Sequence, residues 1–266
     1  MDRESILEKI KQADMVLVGL GEDSSGPPGP EGEWHYAAGK RRLEREGLSW
    51  LLPAWKEFCR EKCADKGGRD GLDAALMGLA GLLREKNYFV VSESVDGRIF
   101  GAPWKEGRLV MPCGCAWRKQ CSQGCGNVLE KTTEEEKAGL WAVLEELWAG
   151  GALTEPLLGV CPECGAPLIF NNVYAQNYNE GGYMDQWRLY TKWLQGTLNR
   201  RLFMLELGVG MCFPSVIRWP FEKIAFLNEK AFLCRVHERL YQMDEKLSGK
   251  GCGISWNVID WLGRLC

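Results

Sequence analysis

The run MVLVGLG, Met15 to Gly21, governs how the rest of the chain is read. It is apolar without alternation, the pattern of a strand buried on both faces, and it ends in a glycine turn. Ahead of it, Ile6, Ile10 and Ala13 recur at helical spacing, so a helix leads into the strand. Beyond it, DSSGPPGPEGEW breaks regular structure: three prolines and three glycines between Gly26 and Gly32 predict a mobile loop.

The same texture returns later in the chain. NYFVVSES (Asn87–Ser94), FMLELGVG (Phe203–Gly210) and AFLCRV (Ala231–Val236) read as further buried strands, and GISWNVIDWLGRL closes with a short strand and a helix. From Lys40 to Lys86 the pattern is helical, interrupted at Pro53 and at DKGGRDG, and predicts two or three helices capping the sheet. Strands separated by helices imply a parallel sheet with crossover connections. The fold class expected is therefore α/β, a Rossmann-like doubly wound sheet formed by residues 1–107 and 174–266, with a helical cap at about 40–86. Ligands of such sheets bind beyond the carboxyl ends of the strands, here GLGED, SESVD and LGVGM.

Residues 108–173 differ, with cysteine pairs surrounding the helical TEEEKAGLWAVLEELWAG, whose acidic first turn suits the positive end of its dipole. CPECG places Cys161 and Cys164 in a C-x-x-C knuckle with a trailing Gly165. Upstream, Cys121 and Cys125 have knuckle-like spacing with a trailing Gly126, whereas Cys113 and Cys115 would point to opposite faces of an extended strand. Cys121, Cys125, Cys161 and Cys164 are the expected ligands of a structural zinc ion in a small inserted module. A redox role would suit a C-x-x-C at a helix start, and Pro162-Glu163 lies in loop-rich sequence instead. Four thiolates leave no open coordination position, which argues against a zinc hydrolase or deaminase.

Composition narrows the partners. A formal net charge of −3 gives no electrostatic reason to expect nucleic acid or an anionic membrane. The amino-terminal MDRESILEKIKQAD is charged throughout, and no apolar run approaches the about 20 residues that span a bilayer, so the expected location is cytoplasmic. The 12 cysteines then point to metal rather than to disulfides. The 12 tryptophans and seven tyrosines read chiefly as core filling.

A doubly wound domain whose first strand ends in Gly-x-Gly, whose second ends in a polar turn with an aspartate, and which carries an inserted four-cysteine module resembles the sirtuins along nearly the whole chain. LELGVGMCFPSVIRWPF, Leu205–Phe221, is similar to the macrodomain-linked bacterial branch of that family, ordinary members having Gly-Thr-Ser at this turn. The resemblance implies an NAD-dependent protein-modifying enzyme that releases nicotinamide, of the ADP-ribosyltransferase or deacylase type, with a protein substrate.

Carried onto this chain, the resemblance gives Gly19, Gly21, Gly208 and Gly210 as the lining of a dinucleotide crevice. Glu22 and Asp23 follow the first turn, where two carboxylates repel a pyrophosphate by about 1 kcal/mol even in high dielectric. Ser24 or Ser25 takes the family serine's place if the loop shifts by a residue. After the second strand, Asp96 matches the residue that holds the nicotinamide carboxamide, Ser94 stands in for an asparagine near the ribose, and Gly97 replaces a histidine. Cys113 falls at the catalytic base; neither His35 nor His237 does. A thiolate lowered by nearby cations, with Arg118 and Lys119 close in sequence, would act as nucleophile or proton shuttle. The plainer reading packs Cys113 and Cys115 beneath the zinc module. The altered residues leave a second functional expectation open, a catalytically degenerate sirtuin fold that binds a protein or an ADP-ribose-like nucleotide.

Overall fold

The computed structural model describes residues 2–22, 30–63, 68–95, 97–126, 128–153 and 158–266. In chain order they form α1 (Arg3–Gln12), β1 (Met15–Leu20), α2 (Pro30–Arg45), α3 (Leu52–Cys63), α4 (Gly68–Leu83), β2 (Tyr88–Ser92), β3 (Leu109–Val110), β4 (Gly114–Cys121), β5 (Leu129–Lys131), α5 (Glu134–Trp148), β6 (Leu168–Asn172), α6 (Met184–Gln195), β7 (Leu202–Leu207), α7 (Arg218–Leu227), β8 (Ala231–Val236), β9 (Gly251–Ile254) and α8 (Val258–Leu265). The expected loop at 26–32 lies in part outside the described residues; from Pro30 the chain is helical, proline suiting a first helical position because its missing N–H would have no partner there.

Six strands pair in the order β3-β2-β1-β7-β8-β9, every pairing parallel. The chain builds outward from β1 in one direction, then crosses back and builds outward through β7 in the other. The switch point therefore lies between β1 and β7, where Met15 to Leu20 pair with Leu202 to Leu207. All six residues of β1 are buried, as its uninterrupted apolar run requires. On one face Val16, Val18 and Leu20 pack with α1, α4 and α8, and on the other Met15 and Leu17 pack with α6 and α7.

Two glycines let this centre close. A Cβ on Gly19 would overlap the Ile217 side chain, so the glycine seats α7 against the sheet. A Cβ on Gly21 would overlap the Gly208 carbonyl and the Val209 Cα, and the Gly21 N–H donates to the Leu207 carbonyl at 2.8 Å. The ends of β1 and β7 thus meet backbone to backbone.

A second sheet, β5-β4-β6, is antiparallel and carries the cysteine module. Helix α5 starts at Thr133, which forms a capping box with Glu136. Leu109–Val110, within the stretch 108–173 read as the insertion, pairs instead with β2 of the main sheet. The helices expected to cap the sheet divide: α4 packs on it, while α2 and α3 share a core with α5 and the second sheet. Trp55, Phe58 and Trp148 meet there with ring centroids 5.7 to 6.2 Å apart, accounting for part of the tryptophan content. Among the described residues no helix is long and apolar enough to cross a membrane.

The sheet also buries a charged pair, Glu206 on β7 in register with Arg235 on β8. Arg235 donates to both carboxylate oxygens at 2.7 and 3.1 Å, to Glu222 of α7 at 2.7 Å and to the Gln242 carbonyl at 2.6 Å. Arg218 reaches Glu206 at 3.3 Å and donates to the carbonyls of Val209 and Leu240. These guanidiniums fasten α7 and the loops after β7 and β8 to the sheet. Arg235→Met leaves the Glu206 carboxylate buried with a weakened partner set, so unfolding in urea is expected to show a loss of about 3–5 kcal/mol. Replacing Glu206 with Leu in the same chain should recover part of that loss.

Candidate functional site

The carboxyl ends of β1, β2 and β7 converge at the switch point. Gly208 adopts φ of 60°, a left-handed conformation in which glycine escapes the steric cost of a side chain, and Val209 and Gly210 behind it are buried. Gly19 belongs to the α7 contact within the strand, so of the first glycine pair only Gly21 stands at the turn itself. Ser24 and Asp96 lie outside the described residues. Ser94 is half-buried, its N–H accepted by the Ser92 hydroxyl at 3.1 Å, and it lines a small cavity with Glu22, Lys56, Arg60 and Tyr174. Asn228 is tied to the Thr197 and Arg200 carbonyls at the opposite, amino-terminal end of β8, away from the crevice.

Cys113 is buried at 1% exposure on the way from β3 into β4, its carbonyl accepting the Val173 N–H at 2.9 Å. Burial is the main cause that pushes its thiol well above the ordinary range, and the carboxylates of Glu93 and Glu22 add to it. The nearby cations expected from the sequence do not lower it. Arg118 donates to the Gly182 carbonyl, and Lys119 is held within the module by Glu136 at 2.7 Å and Glu130 at 3.4 Å. At neutral pH Cys113 is therefore a thiol, able to donate a hydrogen bond and poorly suited to act as thiolate nucleophile or base. Gly114, at φ of 86° and tight against the Asn171 backbone, turns the chain so that Cys115 lines a separate cavity with Met111 and Arg118. His35 stacks on Trp148 at 3.6 Å, and His237 accepts the Arg239 and Leu240 N–H groups through Nδ1.

Lys56 is the site residue that sequence patterning leaves unassigned, and with it the partner of Glu22. The Lys56 ammonium on α3 donates to the Glu22 carboxylate at 3.1 Å, and the Tyr174 hydroxyl lies 3.5 Å from the same oxygen. Burial, then the Glu22 charge, pushes the Tyr36 hydroxyl beside them up to about 12. Lys56 reads as an ordinary helix-surface lysine until the helix is docked.

The sulfurs of Cys121, Cys125, Cys161 and Cys164 lie within 4.8 Å of one another, with Cys121 and Cys164 at 3.5 Å. Tetrahedral Zn–S bonds of about 2.3 Å need sulfurs about 3.8 Å apart, so the donor set fits such an ion. Both knuckles depend on left-handed glycines, Gly165 as expected and Gly124 within the first turn in place of Gly126. Against desolvation, N–H groups of Cys125 and Gln123 and the thiols of Cys164 and Cys161 hold Cys121 down to about 6, while hydrogen bonds to Cys164 and Cys121 push Cys125 up. A cation would displace the remaining protons. Cys113 and Cys115 stay outside this cluster.

No family model matches the chain. Among curated proteins it is 20% identical over 173 residues to a Protein ADP-ribosyltransferase of Staphylococcus aureus, covering 64% of this chain and 53% of that protein. It is 25% identical over 144 residues to a Probable bifunctional ADP-ribose hydrolase/ADP-ribosyltransferase of Fusarium oxysporum, covering 53% of this chain and 24% of that protein. The chain thus spans about half the length of the first relative and about a quarter of the second. Among solved structures, a mutant Sir2 homologue in complex with ADP-ribose superposes with a TM-score of 0.56 at 15% identity, over 100% of this chain and 95% of that one. Sir2Tm bound to a propionylated peptide gives 0.53 at 14%, over 100% and 97%. Sir2Af2 bound to a myristoylated histone peptide gives 0.55 at 12%, over 99% and 94%. The chain has the sirtuin fold, shared with these structures at 12 to 15% identity.

Two measurements check the site. Elemental analysis of purified protein is expected to find one tetrathiolate-bound metal ion per chain, and Cys161→Ser to lose it with a fall of roughly 10 °C in Tm. Iodoacetamide at pH 8 is expected to label the exposed Cys212 and to spare Cys113 in the native protein, read by peptide mass spectrometry.

Proposed function

We propose that the protein is a sirtuin-like, NAD-dependent protein-modifying enzyme that releases nicotinamide, with ADP-ribosyl transfer favoured over deacylation. The observation that carries this reading is the coincidence of a sirtuin fold along the chain with curated relatives named as ADP-ribosyltransferases. The residues fit a dinucleotide in part: Gly21, Gly208 and Gly210 stand at the switch point, where backbone approaches such ligands, and Lys56 offsets the charge of Glu22. NAD supplies the electrophilic ribose carbon from which nicotinamide departs.

Each residue's role is part of the proposal. Asp96 orients the nicotinamide carboxamide, Ser94 lies beside its ribose, Gly21, Gly208 and Gly210 form the crevice, and Ser24 takes the role of the family serine. Cys113 at the position of the base acts as a neutral hydrogen-bond donor. The four-cysteine cluster holds zinc, which ties the module together and takes no part in the reaction. The substrate is a protein acceptor, and a thiolate cluster of this kind suits the reducing cytoplasm.

A buried Cys113 at the position of the base, with Ser94 and Gly97 where the family has asparagine and histidine, favours a second reading, in which the crevice binds ADP-ribose or a protein without turnover. Nicotinamide release decides between the two. Zinc-replete protein is expected to release nicotinamide from NAD, and Asp96→Ala to reduce that rate at least tenfold; equal rates in the two proteins would remove Asp96 from the mechanism. ADP-ribose binding without release by the native protein supports the second reading.

A further inference from the structure

We infer that the Glu22–Lys56 ion pair is an internal occupant of the crevice mouth, and that the diphosphate of a dinucleotide binds there by taking Glu22's place on Lys56. The inference rests on the nucleotide-binding reading above and adds the residue that sets affinity. Glu22 follows Gly21 at the switch point, where the end of β1 meets Gly208 and Val209.

Its carboxylate presents oxygen to Lys56 at 3.1 Å and to the Tyr174 hydroxyl at 3.5 Å, the contacts a phosphate oxygen would make. Lys56 and Arg60 stand four residues apart on α3, so they share a helical face, and both line the cavity beside Glu22. Both members of the pair are mostly shielded, with side-chain exposures of 18% and 19%. Solvent therefore screens the contact less than it would a surface pair.

The cavity is also too small to admit a ligand while Glu22 remains. Its volume is about 20 Å³, room for about one water, bounded by Tyr36, Pro53, Val95 and Tyr174. A diphosphate cannot enter beside the carboxylate, and like charge opposes it. Swinging Glu22 outward removes the like charge, frees the volume its carboxylate fills and leaves the ammonium facing the ligand. Glu22 thus penalises a dinucleotide, and Lys56 is kept in position for one.

Calorimetric titration of the full chain with ADP-ribose tests this. Glu22→Gln keeps the side-chain shape and is expected to bind roughly tenfold more tightly than the native protein. Lys56→Gln is expected to bind roughly tenfold more weakly, and Lys56→Arg to keep native affinity, since the charge is retained. Native binding with an equal or weaker affinity in Glu22→Gln would overturn the inference. Absence of binding by the native protein and by Glu22→Gln alike would overturn the nucleotide reading itself.

Discussion

Everything in this molecule is arranged around a strand that has a parallel neighbour on each side and helices on both faces. β1 leaves no polar group a route to water, which is why its residues are apolar throughout. It also leaves no space at its carboxyl end. Gly19 and Gly21 are needed because α7 and the turn after β7 lie where a Cβ would be. Any side chain there would push the two halves of the sheet apart at the place where a ligand of this fold binds.

The second organising element is the buried Glu206, which two arginines face while their remaining N–H groups hold backbone carbonyls. Burial lifts its carboxyl above the ordinary value, and Arg235 and Arg218 oppose that shift. Such a network stabilises less than its contacts suggest, since desolvation of each charge must first be offset. Its effect is geometric: Arg218 holds the Val209 and Leu240 carbonyls, and Arg235 holds Gln242. The loops on the far side of the switch point are therefore fixed by the sheet beneath them.

The cysteine module is joined to the main domain through α2 and α3, which pack on the core formed by α5 and β6. Lys56 comes from this shared unit, and Glu22 and Ser94 come from the sheet. The crevice mouth is thus assembled from both parts of the molecule. Cys113 leads from one part into the other. Its burial and the carboxylates beside it make it a thiol where the sequence alone allowed a thiolate.

The amino-acid sequence by itself determined the parallel sheet, because fully buried strands need unbroken apolar runs, and it picked out the four cysteines whose sulfurs gather in one cluster, because knuckle spacing and glycine turns are local properties. It also separated Cys113 and Cys115 from Cys121 and Cys125, since adjacent knuckle geometry depends on the chain between the sulfurs. Only the tertiary structure decided the rest. β3 has two residues, too few for a periodic signal, and pairs with β2 only once the crossover is in place. The Glu22–Lys56 contact joins residues 34 positions apart, and the protonation of Cys113 depends on carboxylates from other segments. Electrostatic environment is a property of groups brought together through space, so it becomes legible when the fold supplies the distances.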